Sequence, residues 1–250
     1  MIARLIEWAL PPIIGVVVHR REVLTKKELA AQDSFMAKIQ VVKRKTNKQV
    51  IVAMIGLVGS GKSSVARELA KHIGANVIDG DEIRIELRKQ NERYERARAI
   101  AEDAALAVVR QGGNAVLDSD FIDPKKRASI REKARKAGVR LVFIRTHADL
   151  DVMNGRIITA HYANRVDDFF GGAATKWTGN GQSKGAVVKL REMTRRLPLH
   201  YRWRNKVGGK WEIKNPPCKV LADIDATDQA SWKQEVEEYA CRLLAMDIFD

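Results

Sequence analysis

The stretch Gly56-Leu57-Val58-Gly59-Ser60-Gly61-Lys62-Ser63-Ser64 decides the fold, because it fits the pattern G-x-x-x-x-G-K-[ST] and has the flanks that this pattern needs. The run before it, 50–55, is short, apolar and rich in β-branched side chains, which predicts a buried parallel strand. After it, apolar residues recur at every fourth position in 65–73 and predict a helix that Gly74 ends.

The glycines and the helix start indicate what this loop binds. Glycine lets the backbone curl so that its N–H groups point at one anion, and the first helical turn adds a partial positive charge. Lys62 is then expected to reach the β- and γ-phosphates, while the Ser63 hydroxyl ligates Mg²⁺. The sequence predicts a nucleoside triphosphate site. Its phosphate-binding residues are Gly56, Gly59, Ser60, Gly61, Lys62, Ser63 and Ser64.

Composition sets outer limits on the protein class. The chain has 250 residues, 45% of them hydrophobic and 30% charged, which suits one sizeable globular domain with an extension or lid. Cys218 and Cys241 lack metal-ligand or redox spacing, which favours a reducing, cytoplasmic location. No run reaches the roughly 18 apolar residues of a membrane span. The apolar segment 8–18 contains two prolines, and we expect it to pack on the domain rather than to serve as a signal peptide or a surface anchor.

The chain is strongly basic, with a formal net charge of +14. Such a charge is compatible with binding to nucleic acid, to an anionic membrane surface or to a polyanionic substrate. It is equally compatible with a lysine-rich solvated surface. The net charge alone does not decide between these interpretations.

Predicted strands and helices alternate along the core. Strands are expected at 50–55, 76–79, 115–117, 140–145 and 219–225. This order argues for an α/β fold with a five-stranded parallel sheet and helices on both faces. Ligands of such sheets bind beyond the carboxyl ends of the strands, so the polar residues that follow these strands should gather at one rim.

Helices and segments complete the predicted organisation. The expected helices are 26–42, 64–73, 81–90, 93–111, 124–136, 187–197 (ended by Pro198) and 229–246, and a hairpin is expected around Gly208-Gly209. Four segments follow: a basic N-terminal extension (1–49), a phosphate-loop core (50–150), a basic lid or recognition insertion (151–218) and a last strand with a closing helix (219–250).

The stretch Asp79-Gly80-Asp81-Glu82-Ile83-Arg84 carries a family resemblance. With the phosphate loop, it resembles the P-loop kinases that act on small molecules and polynucleotides: adenylyl-sulfate kinase, gluconate kinase, zeta-toxin-like kinases and 5′-hydroxyl polynucleotide kinase. The resemblance covers about residues 50–160 and the strand region 219–227. It implies the sheet of nucleoside-monophosphate kinases with a basic lid, and the cofactors ATP and Mg²⁺.

The same resemblance implies roles for the charged residues that follow the strands. Asp81 would be the general base for the attacking hydroxyl, although a helix cap or a water-mediated Mg²⁺ contact is the alternative. Arg84 would hold an anionic group of the acceptor, and Asp79 would contact the acceptor or cap the next turn. Asp118 ends an apolar strand, where a carboxylate can hold Mg²⁺ through water, and Asp120 is the neighbouring alternative.

The resemblance also implies a lid and an adenine-side loop. Arg156 is the expected lid arginine, which would neutralise charge on the transferred group. Arg165 follows nine residues later, a wider spacing than the family uses. The loop with Asp225, Ala226 and Thr227 would lie beside adenine, or be an ordinary strand-to-helix turn.

These features predict an ATP-dependent kinase that phosphorylates a hydroxyl of a small anionic metabolite or nucleotide. A nucleic-acid hydroxyl, in a 5′-hydroxyl polynucleotide or an aminoacyl-tRNA, is the first alternative, because basic residues alternate with aromatic ones that suit stacked bases. Those aromatic residues are Trp177, Tyr201, Trp203 and Trp211. A nucleotide-dependent switch or adaptor without phosphoryl transfer is the second alternative.

Overall fold

The computed structural model describes residues 24–160, 181–205 and 208–245. Its strands are β1 (Val50–Ile55), β2 (Ala75–Asp79), β3 (Asn114–Asp118), β4 (Arg140–His147), β5 (Tyr201–Arg204), β6 (Lys210–Ile213) and β7 (Ala222–Asp225). Its α-helices are α1 (Lys26–Met36), α2 (Lys62–Ile73), α3 (Gly80–Lys89), α4 (Ala97–Arg110), α5 (Pro124–Ala137), α6 (Leu150–Thr159), α7 (Gly181–His200) and α8 (Gln229–Ala245).

Five strands form one parallel sheet in the order β2-β3-β1-β4-β7. In the register, Ile51 of β1 lies between Ala115 of β3 and Leu141 of β4. The strand that feeds the phosphate loop is therefore the central one. The predicted α/β fold with a five-stranded parallel sheet is confirmed.

Strand β1 is buried on both faces, as its continuous apolar run predicts. Ile51, Ala53 and Ile55 pack with α1, α3, α4 and α5, whereas Val50, Val52 and Met54 pack with α2 and α8. Successive side chains of a strand point to opposite faces, so this six-residue run serves two cores. It fixes the phosphate loop between two packed layers.

Helix α1 belongs to the first of these cores. Its predicted capping box is present, with Thr25 and Glu28 exchanging hydrogen bonds. The helix stops at Met36 rather than continuing to residue 42, because the Asn76 side chain binds the extended chain after it. The buried carboxylate of Glu86 accepts hydrogen bonds from Ser34 and Lys38, which attach this region to α3.

Other element boundaries also differ from the prediction. Helix α7 begins at Gly181 rather than at residue 187, and β4 continues to His147 rather than ending at residue 145. Helix α7 runs through Pro198 to His200, since a proline in the last turn removes a single intrahelical hydrogen bond. The predicted helix 93–111 is a 3₁₀ turn, Tyr94–Arg96, followed by α4. Strand β7 begins at Ala222 rather than at residue 219.

The predicted hairpin is the antiparallel pair β5–β6, in which Trp203 lies opposite Trp211. Arg165, Trp177 and the apolar segment 8–18 lie outside the described residues. Over the described part of the chain, no helix is both long and apolar enough to cross a bilayer. The four segment boundaries proposed from the sequence stay predictions.

Candidate active site

The phosphate loop connects β1 to α2 and depends on close backbone approaches. Gly59 and Gly61 have φ values of 85° and 81°, the left-handed region that favours glycine. A Cβ at Gly59 would lie 2.9 Å from the Met153 backbone oxygen, and one at Gly61 would lie 2.8 Å from the Cβ of Ala226. The loop is therefore shaped by helix α6 and by the turn after β7, as well as by its own sequence.

A cavity of about 430 Å³ opens beside this loop at the carboxyl ends of the strands. Of the predicted phosphate-binding residues, four line it: Gly56, Gly59, Lys62 and Ser63. Ser60 is buried and its hydroxyl pairs with that of Thr146, so its side chain is structural. The Ser64 N–H donates to Gly61, within the first turn of α2.

Three further predicted residues, Asp79, Asp81 and Arg84, come to the same cavity from β2 and α3. Asp79 is the N-cap of α3 and accepts the N–H of Asp81 at 2.8 Å, so the capping alternative holds for its side chain. Burial, together with the nearby charge of Asp118, raises the pKa of Asp79 to about 6.

The Asp81 carboxylate faces the cavity between two cations. One oxygen accepts a hydrogen bond from Arg84, and the other lies 3.4 Å from Nζ of Lys189. Burial raises the pKa of Asp81, but the positive charges of Lys189 and Arg84 outweigh it and leave that pKa below its usual value. Asp81 is thus an ionised carboxylate in the cavity that the phosphate loop also lines.

Two acidic side chains lie at the end of β3, Asp118 as its last residue and Asp120 two residues later, and their contacts differ. Asp118 is buried, and its Oδ1 lies 3.8 Å from Nζ of Lys62, beside the phosphate loop. Asp120 instead accepts hydrogen bonds from the Gly56 N–H, the Ile122 N–H, His200 and Arg196. Burial opposes ionisation of Asp120, yet His200 and Arg196 lower its pKa to about 2. Asp118 is therefore better placed than Asp120 to meet a metal ion.

Helix α7 supplies cavity residues that the sequence analysis missed. Lys189, Glu192 and Arg196 lie three to seven positions apart on this helix, and all three line the cavity. Their spacing marks one helical face. Nothing local indicates where that face packs, because Lys189 and Asp81 are 108 positions apart in the chain.

Arg156 of α6 links the phosphate loop to the turn after β7. Its guanidinium donates to the carbonyl oxygens of Gly59 at 3.2 Å, Ala226 at 2.5 Å and Thr227 at 3.2 Å. Asp225 accepts hydrogen bonds from the backbone and hydroxyl of Thr227, which shapes this turn. The predicted lid residue Arg156 thus contacts Ala226 and Thr227 of the predicted adenine-side loop, while the roles of these residues stay predictions.

Comparisons with known proteins agree with this arrangement. The AAA_33 family model, described as an AAA domain, matches residues 51–170. An adenylyl-sulfate kinase of Prochlorococcus marinus is 34% identical over 147 residues, which cover 52% of this chain and 71% of that protein. The structure of APE1195 has a TM-score of 0.51 at 20% identity, covers 79% of this chain and 96% of that one, and supports the fold.

Longer relatives also match. An uncharacterized protein of Mycobacterium tuberculosis is 31% identical over 149 residues, 53% of this chain. The match covers 30% of that relative, so the chain spans less than a third of the length of the first curated relatives it matches. The family assignment rests on the phosphate loop, on the parallel sheet, and on an adenylyl-sulfate kinase that is 34% identical and covered over 71% of its length. The chain belongs to the family of P-loop small-molecule kinases.

Proposed function

We propose that the chain is an ATP-dependent kinase that transfers the γ-phosphoryl group of Mg·ATP to a hydroxyl of a small anionic metabolite or nucleotide. One observation carries this proposal: Lys62 of the phosphate loop and the ionised carboxylate of Asp81 face the same cavity of about 430 Å³. A space of that size suits the reacting ends of a nucleotide and a small acceptor, held for in-line transfer.

In the proposed reaction the acceptor hydroxyl oxygen attacks the γ-phosphorus, and the bond to the β–γ bridging oxygen breaks so that ADP leaves. The hydroxyl proton passes to the carboxylate of Asp81, which orients the hydroxyl beforehand. Lys62 and the loop N–H groups hold the phosphates against the start of α2. Arg84 holds an anionic group of the acceptor.

The oxygen donors beside Lys62 fit Mg²⁺. Ser63 lines the cavity and Asp118 is buried at its edge, whereas the described residues contain no cluster of three or more His, Cys, Asp or Glu side chains. Mg²⁺ is usually held by one or two protein oxygens together with substrate phosphates and water. The ion would neutralise charge on the transferred phosphate.

The decisive experiment replaces Asp81 by Asn, which keeps the size and removes the base. We expect transfer from labelled ATP, screened against nucleosides, sugars, adenylyl sulfate and 5′-hydroxyl oligonucleotides, to fall by about 10²–10⁴-fold, while ATP affinity stays unchanged. Glu82→Gln is the matched control, because Glu82 is an exposed carboxylate on the same helix that does not line the cavity. Turnover that is unchanged in Asp81→Asn would favour a nucleotide-dependent switch instead.

A second candidate acceptor, a nucleic-acid hydroxyl, is favoured by the hairpin. Trp203 and Trp211 are 50% and 37% exposed and meet edge to face with centroids 5.4 Å apart. Glu212 is the acidic partner of Arg202, Arg204 and Lys210. Exposed indoles beside an excess of cations suit stacked bases and phosphates.

Binding of a fluorescent single-stranded oligonucleotide at several salt concentrations tests this candidate. Stacking predicts that Trp203→Ala weakens binding by about tenfold or more and that affinity falls steeply with salt. Leu199→Ala is the control, since Leu199 is 52% exposed but offers no ring. Equal affinities in both variants would remove the nucleic-acid acceptor.

A further inference from the structure

Lys189 gives helix α7 a direct contact with the proposed base. Its Nζ lies 3.4 Å from Oδ2 of Asp81, and its side chain is 18% exposed. Residue 189 also lies outside residues 51–170, the part of the chain that the family model matches. The family comparison therefore assigns no role to this lysine.

Three of the cations that line the cavity come from three different helices: Arg84 from α3, Lys126 from α5 and Lys189 from α7. Arg84 and Lys189 both contact the Asp81 carboxylate, and Lys126 donates to the Asp120 carbonyl oxygen at 3.3 Å. Burial lowers the pKa of Lys126 and of Lys189; Asp120 and Asp81 respectively raise these pKa values, and neighbouring cations lower both. An anion bound among these groups would relieve that repulsion.

The other carboxylates of the cavity have different partners. Asp120 accepts hydrogen bonds from Arg196 and His200, and Asp118 lies beside Lys62. Asp81 is thus the carboxylate that Arg84 and Lys189 share. Each of its oxygens contacts one of these cations, and their positive charges stabilise the ionised form, which makes Asp81 a weaker base for a hydroxyl in this arrangement.

We propose that Lys189, Lys126 and Arg84 form a site for a tetrahedral dianion, a phosphate- or sulfate-like group of the acceptor, and that occupancy of this site draws Arg84 and Lys189 away from Asp81. The released carboxylate then accepts a hydrogen bond, and during transfer the proton, from the hydroxyl of the acceptor. This inference rests on the proposed kinase function and names the substrate class of the same cavity. It makes the anionic group of the acceptor a requirement for catalysis as well as for binding.

The charge of the ligand decides between anion classes. A group that competes with Asp81 for two cations needs more charge than one carboxylate offers, which favours a dianion over a monoanion. Three donors from three helices also suit a tetrahedral oxyanion, whereas a planar carboxylate is best matched by one arginine fork. A phosphate monoester is close to a dianion at neutral pH.

The test measures binding of inorganic sulfate by calorimetry at constant ionic strength. The full chain is first saturated with the non-hydrolysable Mg·AMPPNP, so that the phosphate loop is occupied and does not bind the probe. We expect sulfate to bind the wild type. Its affinity should fall roughly tenfold to hundredfold in Lys189→Gln and in Lys126→Gln, because each variant loses one charge-assisted hydrogen bond to the anion. Formate is the monoanion for comparison and should bind more weakly than sulfate.

Two variants of α7 control for folding and for general electrostatics. Lys189→Arg keeps the charge and should retain sulfate binding. Arg191→Gln removes an exposed cation of the same helix that does not line the cavity, and should leave the affinity unchanged. Equal sulfate affinity in the wild type, Lys189→Gln and Lys126→Gln, or no sulfate binding at all, would overturn the proposed site.

The release of Asp81 has its own readout, the carboxyl pKa followed by carbon NMR. Sulfate should raise this pKa in the wild type, because the cations leave and an anion arrives, and should raise it less in Lys189→Gln. A pKa that sulfate does not change would overturn the release. Neither readout needs turnover, so a failed anion site is distinguishable from a failed kinase. Phosphoryl transfer to any acceptor in the screen without sulfate binding would remove this inference and leave the kinase activity standing, whereas sulfate binding without transfer would remove the kinase activity.

Discussion

Asp120 accepts a hydrogen bond from the backbone N–H of Gly56 at 3.2 Å and thereby anchors the first residue of the phosphate loop to the segment after β3. Its other oxygen accepts hydrogen bonds from His200 and Arg196 of α7. One buried carboxylate thus joins the nucleotide-binding loop to the helix that forms the far wall of the cavity. The link predicts coupled losses of stability and of nucleotide binding.

Replacing Asp120 by Asn should lower the free energy of unfolding by about 3 kcal/mol, because it leaves the buried His200 and the partly buried Arg196 without their anion. Urea unfolding monitored by circular dichroism measures this loss. Glu237→Gln on the exposed side of α8 is the matched control and should change stability little. A loss no larger in Asp120→Asn than in this control would contradict a structural role for the carboxylate.

The same carboxylate predicts part of the acid sensitivity. The pKa of Asp120 is about 2 in the folded chain, below the usual aspartate value of 3.8. A depressed carboxyl pKa gives stability that is present above the unfolded value and lost as the pH falls through the folded one. As the pH falls from 3.8 to about 2, the free energy of unfolding should decrease more in the wild type than in Asp120→Asn, which lacks the titrating carboxyl.

Asp79 predicts the opposite dependence of stability on pH. Its pKa is raised to about 6, so the folded chain favours the protonated carboxyl. Stability from this group is present below the unfolded value of 3.8 and is lost as the pH rises through 6. Asp79→Asn keeps the N-cap of α3 and stays neutral, so it should raise the free energy of unfolding at pH 8 by about 1–2 kcal/mol.

Unfolding of Asp79→Asn and of the wild type at pH 4 and pH 8 checks this expectation. The two chains should differ at pH 8 and converge towards pH 4, where the wild-type carboxyl is protonated in the fold. Asp123→Asn, an exposed N-cap at the start of α5, is the control for the exchange of one capping residue for another. A difference between wild type and Asp79→Asn that is the same at both pH values would contradict the raised pKa.

The features that the sequence predicted well are local. The run 50–55, the glycines of the loop and the period of α2 lie within one strand–loop–helix unit, so neighbouring residues determine them. The carboxylates after β2 and β3 were also predictable, because parallel strands end at one edge of a sheet.

The missed features depend on distant parts of the chain. The end of α1 depends on the side chain of Asn76, which binds the backbone of Gln40 and Val42. The continuation of α7 through Pro198 is a local exception, since a proline in the last turn removes a single intrahelical hydrogen bond. Lys189 meets Asp81 through the placement of a whole helix. No local spacing predicts such a contact, which is why the sequence analysis left the α7 wall of the cavity out.

The glycine geometry of the phosphate loop gives a further prediction. Gly61→Ala places a side chain at φ 81°, with its Cβ 2.8 Å from that of Ala226, and should cost about 1–2 kcal/mol of stability as well as nucleotide affinity. Gly155→Ala is the matched control: Gly155 is an exposed helical residue whose added Cβ meets nothing within 4 Å. We expect it to raise stability by about 0.5–1 kcal/mol. Thermal unfolding with and without Mg·AMPPNP measures the stability and the nucleotide binding of both variants. If AMPPNP stabilised Gly61→Ala as much as the wild type, the close fit at Gly61 would be contradicted.

Arg156 predicts the coupling between the two sides of the nucleotide site. Its guanidinium reaches Gly59 in the phosphate loop and the Ala226 and Thr227 carbonyls in the proposed adenine-side turn. Both Arg156→Ala and Arg156→Lys should weaken AMPPNP binding by about tenfold, because an ammonium point charge does not reproduce the planar fork that serves several acceptors. Arg67→Ala on the exposed face of α2 is the control. Normal AMPPNP binding by Arg156→Lys together with weak binding by Arg156→Ala would contradict the bridging geometry. It would show that the site needs only a positive charge, as expected of a lid arginine that neutralises the phosphates.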